Sequence, residues 1–505
     1  MITALLAQAS QPTRLPPLQL PKVQYSAILP ELALVVGALV LLMVWSLVRS
    51  RSRAGINTAI TIAAAAVSLV GSWHLWADID KHGPRTAISG AIVVDGFSVF
   101  IAVLVGFAII LGALISDAYL RREQMEGPEF QVLLLLSASG AMLMAASNDL
   151  ILLFLGLEIL SLPLYILAGY YRSREVSREA AMKYFLLGAF SSALFLYGIA
   201  MVYGATGSTN LPEIASWLAT NVVTSNGVML AGMALLVVGL GFKVAAVPFH
   251  AWTPDVYQGA PTPVTGFMAA VAKAGGFAGL LRVFFSALPV LRLDWQPLIW
   301  ALAVLTLVVG SVLAVVQTDI KRMLAYSSIS HAGYVLIGLQ AASKEGLAAS
   351  LFYLFVYSFM VLGSFAVVTL VGRKGDRAHD LAGYRGVASS RPGLALTFTV
   401  FLMAQAGVPF TSGLLAKFYV IKAAVDSHSY ALAIIGMLAA AIGAFAYLRV
   451  VILMYTPPAE GEQVKRLALP RTTGIALAAA LAFTLVVGFF PSPVIDFARH
   501  ATLLF

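Results

Sequence analysis

The sequence contains no cysteine among its 505 residues. The chain can therefore form no disulfide and can hold no iron–sulfur cluster through thiolates. Its seven histidines are scattered, and none form a pair at the HxxxH spacing that holds zinc on one helix face. The sequence also lacks a Walker A loop and a Rossmann-type GxGxxG unit. Any redox or nucleotide chemistry coupled to this chain must reside in other chains.

Charge is also scarce: 11% of the residues are charged and 60% are hydrophobic, with a mean hydropathy of +0.90. A soluble chain of this length would need a charged surface. Many apolar stretches instead reach the roughly 20 residues that cross a bilayer. The formal net charge of +9 is interpreted as loop cations that orient the helices, and no nucleic-acid partner is expected.

The apolar stretches predict an all-α integral membrane protein with about fourteen transmembrane segments. A polar leader at 1–25 precedes them, and it lacks the basic flank of a signal peptide. The segments are predicted at 26–49, 55–76, 92–115, 130–147, 149–171, 181–204, 228–252, 261–287, 297–317, 322–341, 347–372, 392–424, 429–455 and 471–492.

The loops carry an uneven charge. With fourteen segments, and with cations at segment edges counted with the adjoining loop, the odd-numbered loops hold eighteen Lys and Arg, and the termini with the even-numbered loops hold nine. The positive-inside rule then places the odd loops in the cytoplasm and both termini outside. The even loop at 205–227, which has no Lys or Arg, agrees with this orientation.

Five further cations fall inside the apolar segments, where a charge costs about 3 kcal/mol on insertion scales. They are Lys183, Lys243, Lys273, Lys417 and Arg449. Lys183 and Arg449 lie near segment ends, so snorkelling to the headgroups can explain them. Snorkelling explains the other three poorly.

Acidic residues inside the segments are fewer. Glu158 lies in the middle of the fifth segment, with Ser161 and Tyr165 on the same helical face. A glutamate at that depth should be paired or protonated. Glu31 lies near the start of the first segment, where an interfacial or first-turn carboxylate is the favoured interpretation.

Two segments are interrupted by proline. Pro248 follows Lys243 in the seventh segment, and Pro409 precedes Lys417 in the twelfth. Such breaks persist in lipid only where protein or water satisfies the freed backbone groups. Breaks five segments apart predict two inverted five-helix repeats, at 130–287 and 297–455, after three N-terminal helices at 26–115 and before a last helix at 471–492.

The tenth segment carries a polar stripe at helical spacing. Ser327, Ser330 or His331, and Tyr334 share one face. The serine hydroxyls can bond back to their own helix. A histidine in the same run favours a stripe that faces protein and water.

These motifs make the chain similar to a known family. It resembles the antiporter-like membrane subunits of respiratory complex I and of multisubunit sodium/proton antiporters, and among them the N-type subunits. The M-type subunits have a glutamate where this chain has Lys417, and the L-type subunits have a long lateral helix that is not found here. The resemblance rests on LGLEILSLPLYILAGY (155–170), EAAMKYFLLGAFSSALFLYG (179–198), GFKVAAVPFHAWTPDVYQGAPTPVTGFMAAVAKAGGF (241–277), QTDIKRMLAYSSISHAGY (317–334) and GVPFTSGLLAKFYV (407–420).

The resemblance implies a subunit of a proton-translocating NADH–quinone oxidoreductase in a bacterial plasma membrane. NADH, FMN, iron–sulfur clusters and quinone would be used by other subunits, and the chain would lie between the M-type and K-type subunits. A buried lysine can exchange its proton as a carboxylate approaches or leaves. The implied path is Glu158 paired with Lys183 or Lys243, then His250 as a bridge, Lys273, His331 and Lys417, lined by Ser327 and Tyr334.

Two alternatives stay open. The same Glu–Lys–Lys plan occurs in sodium/proton antiporter subunits and membrane-bound hydrogenases, so the lysines do not discriminate between these machines. The chain could also be a scaffold that retains charges from an ancestral transporter. Four buried lysines and two helix breaks argue against a scaffold, because leucine at those positions would stabilise a purely structural bundle.

Overall fold

The computed structural model describes residues 23–47, 55–221, 227–377, 379–457 and 467–504. The predicted leader lies outside these ranges except for its last three residues. Five of the loop cations also lie outside them, namely Arg49, Arg51, Arg53, Lys465 and Arg466.

Within these ranges helices make up nearly all of the regular secondary structure. A short antiparallel hairpin, β1 (Arg85–Ala87) with β2 (Ile92–Val94), is the exception. The helices are α1 (Leu29–Leu47), α2 (Ile56–His82), α3 (Gly96–Arg122), α4 (Glu129–Ala146), α5 (Leu150–Ala168), α6 (Glu175–Thr206), α7 (Leu211–Thr220), α8 (Gly227–Val244), α9 (Trp252–Gly259), α10 (Thr262–Ala287), α11 (Arg292–Val315), α12 (Ile320–Gln340), α13 (Lys344–Val371), α14 (Val387–Ser390), α15 (Pro392–Ala406), α16 (Ser412–Asp426), α17 (Tyr430–Tyr455), α18 (Arg471–Phe489) and α19 (Ser492–His500).

The predicted fold class is confirmed. In the described ranges, twelve helices are long and apolar enough to cross a membrane. The tenth predicted segment is α12, which is not among these twelve because its polar stripe lowers its hydropathy. The twelfth is split into α15 and α16, and these two segments complete the fourteen. The seventh contains α8, which is among the twelve, and ends at the start of α9.

Polar residues fix the starts of several helices. Asp95 forms a capping box with Ser98 at the start of α3. The Asp149 and Asp319 side chains accept backbone N–H bonds at the starts of α5 and α12, and Ser343 does so for α13. These caps satisfy donors that a helix leaves unpaired at its first turn.

The bundle has central and peripheral helices. The apolar windows of α10 and α13 are wholly buried, whereas only a third of the corresponding window is buried in α6, α17 and α18. The most extensive helix contacts join α4 to α5 and α11 to α12, the first two helices of each predicted repeat. The exact repeat boundaries stay a prediction.

Two cations that the charge count included with the adjoining loops are buried in helices. Arg282 lies in α10 with 1% of its surface exposed, and its guanidinium pairs with the Asp95 carboxylate at 2.5 Å. Lys321 lies in the first turn of α12 and is fully buried. Both charges are tolerated because the fold supplies partners from distant parts of the chain.

Candidate functional site

Lys243 lies at the end of α8, where the seventh segment breaks. The helix stops because Ala245 adopts a left-handed backbone with φ of 60°. The Lys243 side chain is buried, and its Nζ donates to Ser161 Oγ at 2.6 Å and to Tyr184 OH at 3.3 Å. The rings of Tyr165 and Tyr184 lie 5.9 and 5.5 Å from the same nitrogen. Hydroxyls and aromatic faces therefore surround this ammonium group.

The expected ion pair of Glu158 is not formed. In the described ranges Glu158 makes no ion pair within 4.0 Å, and its Oε1 is buried without a hydrogen-bond partner. The hydroxyl of Ser161, one turn after Glu158 on α5, accepts a hydrogen bond from Lys243 Nζ instead. Ser161 follows Glu158 at i+3 on α5, so the hydroxyl that accepts from Lys243 lies one helical turn from the glutamate.

Lys183 pairs elsewhere, which corrects the prediction that it can pair with Glu158. Its Nζ lies 2.8 Å from Glu179 and 2.7 Å from Asp255, and 42% of its side chain is exposed. The Asp255 carboxylate also accepts from Arg322 at 2.7 Å. Lys183 is therefore half-exposed and held by two carboxylates, and its snorkelling to the headgroups stays a prediction.

Lys273 lies in the fully buried α10, directly after a π-helical turn at Met268–Ala272. Its Nζ donates to the carbonyl oxygen of Ser328 on α12 and lies 5.6 Å from the Tyr357 ring. The Ser328 hydroxyl in turn lies 3.4 Å from Tyr257 OH. Single-turn π-helical insertions of this kind are frequent at functional sites.

A chain of hydrogen bonds continues from α12 towards the second break. His331 Nδ1 lies 2.6 Å from Tyr353 OH, and its Nε2 lies 3.3 Å from Tyr447 OH. Tyr447 OH also bonds to the Ser327 hydroxyl, which donates to Gln405 Oε1 at 3.3 Å. These groups are buried, so the stripe on α12 faces protein as expected.

Lys417 ends this chain on α16. Its Nζ donates to the carbonyl oxygens of Gln405 at 2.8 Å and Ala406 at 2.7 Å, the last residues of α15. A cation at the carboxyl end of a helix is favoured by the helix dipole. The Tyr334 ring lies 5.1 Å away. A cavity of about 10 Å³ borders Lys417, His331 and Tyr334, close to the smallest volume that holds a water molecule.

His250 is not brought to either neighbouring lysine. It lies half-exposed in the break after α8, and its Nδ1 is buried without a partner. No hydrogen bond in the described part of the chain joins it to Lys243 or Lys273. Pro248, the expected helix breaker, is exposed two residues earlier. A bridging role for His250 therefore needs water or a movement of the break.

Two glycines lie against the stems of the break lysines: Gly407, which the sequence marks as part of the twelfth-segment break, and Gly276, which it does not mark. A Cβ on Gly276 would lie 3.1 Å from Lys243 Cγ and 2.9 Å from a Val244 methyl. A Cβ on Gly407 would lie 3.1 Å from Lys417 Cδ, and Gly407 has a φ of 94°. These glycines permit the close approach of each lysine to the next helix.

Buried tyrosines were also overlooked. Tyr353 and Tyr357 share one face of α13 at i and i+4, a spacing that the sequence shows. Tyr184 and Tyr447 could not have been found in this way, because only the packing of distant helices brings them to Lys243 and His331.

The two remaining charges behave as end-of-segment groups. Glu31 lies in the first turn of α1, as expected. The Arg449 guanidinium donates to the carbonyl oxygens of Val315 at 3.0 Å and of Gln317, at the end of α11. Arg449 therefore caps a neighbouring helix.

Comparison with known proteins defines the class. A family model described as "NADH:quinone oxidoreductase/Mrp antiporter, TM" matches residues 147–443. The chain is similar to a chain of the Mrp complex from Dietzia, with a TM-score of 0.81 and 20% identity over 95% of this chain and 97% of that one. That likeness concerns the fold alone. The chain belongs to this family of antiporter-like membrane proteins.

Relatives with higher sequence identity assign the chain to one branch of this family. NADH-quinone oxidoreductase subunit N of Trichlorobacter lovleyi is 43% identical over 95% of this chain and 98% of its own length. The same subunit of Mycobacterium bovis is 40% identical over 96% and 99%. A chain of respiratory complex I from Thermus thermophilus with bound aureothin has a TM-score of 0.78 and 32% identity, over 94% of this chain and all of that one. The chain belongs to the NADH-quinone oxidoreductase subunit N family, which confirms the resemblance seen in the sequence.

Proposed function

We propose that this chain is a proton-translocating membrane subunit of an NADH–quinone oxidoreductase. One observation carries the proposal within the family: each broken segment holds a buried lysine that has no carboxylate partner within 4.0 Å in the described ranges. A lysine held by neutral groups can release its proton without breaking an ion pair. The redox reaction that drives translocation takes place in other subunits.

Lys243 is the proposed switching group. In the structure it is bonded to Ser161 and Tyr184, while Glu158 lacks a partner on Oε1. Movement of the ammonium group to Glu158 would favour its charged form, and return to the hydroxyls would favour proton release. Lys183, anchored at Asp255, influences this pair from a distance through its charge.

The proton then passes to Lys273 and along α12 towards Lys417. His250 is proposed to assist the first transfer through water. Between Lys273 and Lys417 the groups are Ser328, His331 and the tyrosine and serine hydroxyls around it, with Ser327 and Tyr334 lining the path. Pro248 and Pro409 mark the two helix breaks. At these breaks Lys243 and Lys417 face neighbouring helices. Ordered water is required wherever the side chains do not touch.

The loop charges support the proposed orientation in the membrane, and the family resemblance supports the proposed neighbouring subunits. The odd-numbered loops would face the cytoplasm of a bacterial cell, with both termini on the outer side. Neighbouring subunits would be the M-type on one side and the K-type on the other. NADH, FMN, iron–sulfur clusters and quinone would be bound by the rest of the complex.

Affinity purification of this chain from native membranes in mild detergent tests the proposal. We expect flavin-dependent NADH–ferricyanide activity and iron–sulfur EPR signals in the eluate. A large complex without flavin or clusters would contradict the assignment. It would direct attention to the sodium/proton antiporter alternative, which sodium-dependent pH changes in vesicles would test.

A further inference from the structure

The turn at residues 260–262 joins α9, which follows the break after Lys243, to α10, which carries Lys273. Two charged side chains from the second half of the molecule hold this turn. Lys321 Nζ donates to the Ala260 carbonyl oxygen at 2.5 Å. The Asp376 carboxylate accepts from Thr262 Oγ1 at 2.7 Å and from Thr262 N at 3.2 Å. The turn is thus bonded on both sides by groups more than fifty residues away in the chain.

Asp376 lies in the loop after α13 and has no exposed surface. Besides Thr262, the groups facing its carboxylate are Tyr119 OH at 3.2 Å, Arg174 Nη1 at 3.2 Å, His379 Nε2 at 2.9 Å and Lys321 Nζ at 4.0 Å. Glu123 approaches the same loop and accepts from Gly375 N at 2.8 Å. The Asp376 site therefore gathers groups from α3, α10, α12 and the start of α6.

The Asp376 charge is suited to holding the turn and unsuited to carrying protons. Burial alone would raise the pKa of Asp376, but the Lys321 charge and the His379 and Thr262 hydrogen bonds hold it well below its usual range. The carboxylate therefore stays ionised throughout the physiological pH range. A permanently ionised group does not relay protons, but it binds its donors at every stage of a proton cycle.

The turn is connected to the proposed path by two helices. Thr262 is the first residue of α10, and Lys273 lies three turns later on the same helix. Lys321 is in the first turn of α12, and Ser328, whose carbonyl accepts from Lys273, lies two turns later. If residues 260–262 are held against Lys321, the position of Lys273 along the α10 axis is fixed relative to Ser328 on α12.

We propose that Asp376 and Lys321 are positioning residues that clamp the 260–262 turn and so set the register of Lys273 against α12. This inference rests on the proposed proton path. A clamp of this kind couples the two halves of the chain, because movement of α12 would shift α10 and α9 together.

The test is the number of protons pumped per NADH oxidised by the assembled complex in inverted membrane vesicles, with NADH–ferricyanide activity reporting assembly. In Asp376→Asn the charge is lost and the shape is kept, and we expect the ratio to fall by about twofold or more. Asp376→Glu should retain part of the ratio. The matched control is Asp380→Asn, an exposed aspartate of the same loop, which should leave the ratio unchanged.

A normal ratio in Asp376→Asn would overturn the clamp, provided that Lys273→Ala lowers the ratio in the same assay. If Lys273→Ala also pumps normally, the proposed path itself is refuted. If Asp376→Asn does not assemble, Thr262→Val takes its place, since it removes only the 2.7 Å bond. A lower ratio in Thr262→Val supports the clamp, and an unchanged ratio overturns it.

Discussion

At the residue scale, the cations within the membrane-spanning helices include two groups with different partners. Arg282 and Lys183 are held by carboxylates, whereas Lys243, Lys273 and Lys417 are held by hydroxyls or backbone carbonyls. A carboxylate partner keeps a cation charged, and neutral partners leave its protonation responsive to small movements. This difference separates the structural cations from those proposed to carry protons.

Gly276→Ala tests the placement of Lys243. The added methyl would press on Lys243 Cγ and on a Val244 methyl, so the lysine stem must shift. We expect proton pumping to fall several-fold while NADH–ferricyanide activity, which reports assembly, is retained. Gly204→Ala is the control, because a Cβ on Gly204 in α6 meets nothing within 4 Å. Equal pumping in the two variants would show that the Lys243 position is not critical.

Tyr353→Phe tests the hydrogen-bond chain at His331. The change removes the hydroxyl that bonds His331 Nδ1 at 2.6 Å and leaves the ring in place. Because one such bond is worth about 1 kcal/mol, pumping should fall by a few-fold with little loss of stability. Tyr197→Phe, at an exposed position on α6, should pump normally. Normal pumping in Tyr353→Phe would remove this hydroxyl from the path.

At the element scale, the two broken helices could be predicted because their signals are local. Proline and an isolated lysine in an apolar run mark each break in the sequence itself. The partners of those lysines could not be predicted in the same way. Lys243 bonds Ser161 and Tyr184 through packing of α5, α6 and α8, and helical spacing within one element does not report such packing.

The same limit explains the errors in the sequence analysis. Arg282 was counted with the adjoining loop, although Asp95, far away in the chain, holds it inside α10. Lys183 was considered for Glu158, whereas the break at α8 places Asp255 within its reach. Charge and hydropathy locate a buried ion, but the tertiary fold decides its counter-ion.

Lys417→Met tests the second break. The end of α15 would lose the donor that satisfies the Gln405 and Ala406 carbonyls. Loss of this donor should lower the stability of the complex by about 1–3 kcal/mol, visible as a lower midpoint of thermal inactivation, and should also lower pumping. Lys417→Arg keeps a cation and should preserve more of the stability. Unchanged stability in Lys417→Met would mean that water satisfies these carbonyls.

At the scale of the whole molecule, a buried ion pair joins the N-terminal helices to the first repeat. Asp95 accepts from Arg282 at 2.5 and 3.0 Å, caps α3 through Ser98 N, and accepts from Leu504 N at 3.1 Å near the C-terminal end. Arg282 also donates to the Ala145 carbonyl on α4. The pair therefore ties α3, α4, α10 and the C-terminal segment together.

Arg282→Met should destabilise the assembled complex by about 3–5 kcal/mol, because it leaves the Asp95 charge buried and unpaired. The double variant with Asp95→Asn should be less destabilised than the sum of the two single variants. Thermal inactivation of the purified complex measures all three. Additive effects would show that the two side chains do not act as a pair.

The central claim is that Lys243 carries protons, and Lys243→Ala in the assembled complex tests it most directly. The measurement is the acidification of inverted vesicles during NADH oxidation, normalised to NADH–ferricyanide activity. We expect the Lys243→Ala complex to retain assembly and flavin activity and to lose acidification. Acidification at the normal number of protons per NADH would contradict it.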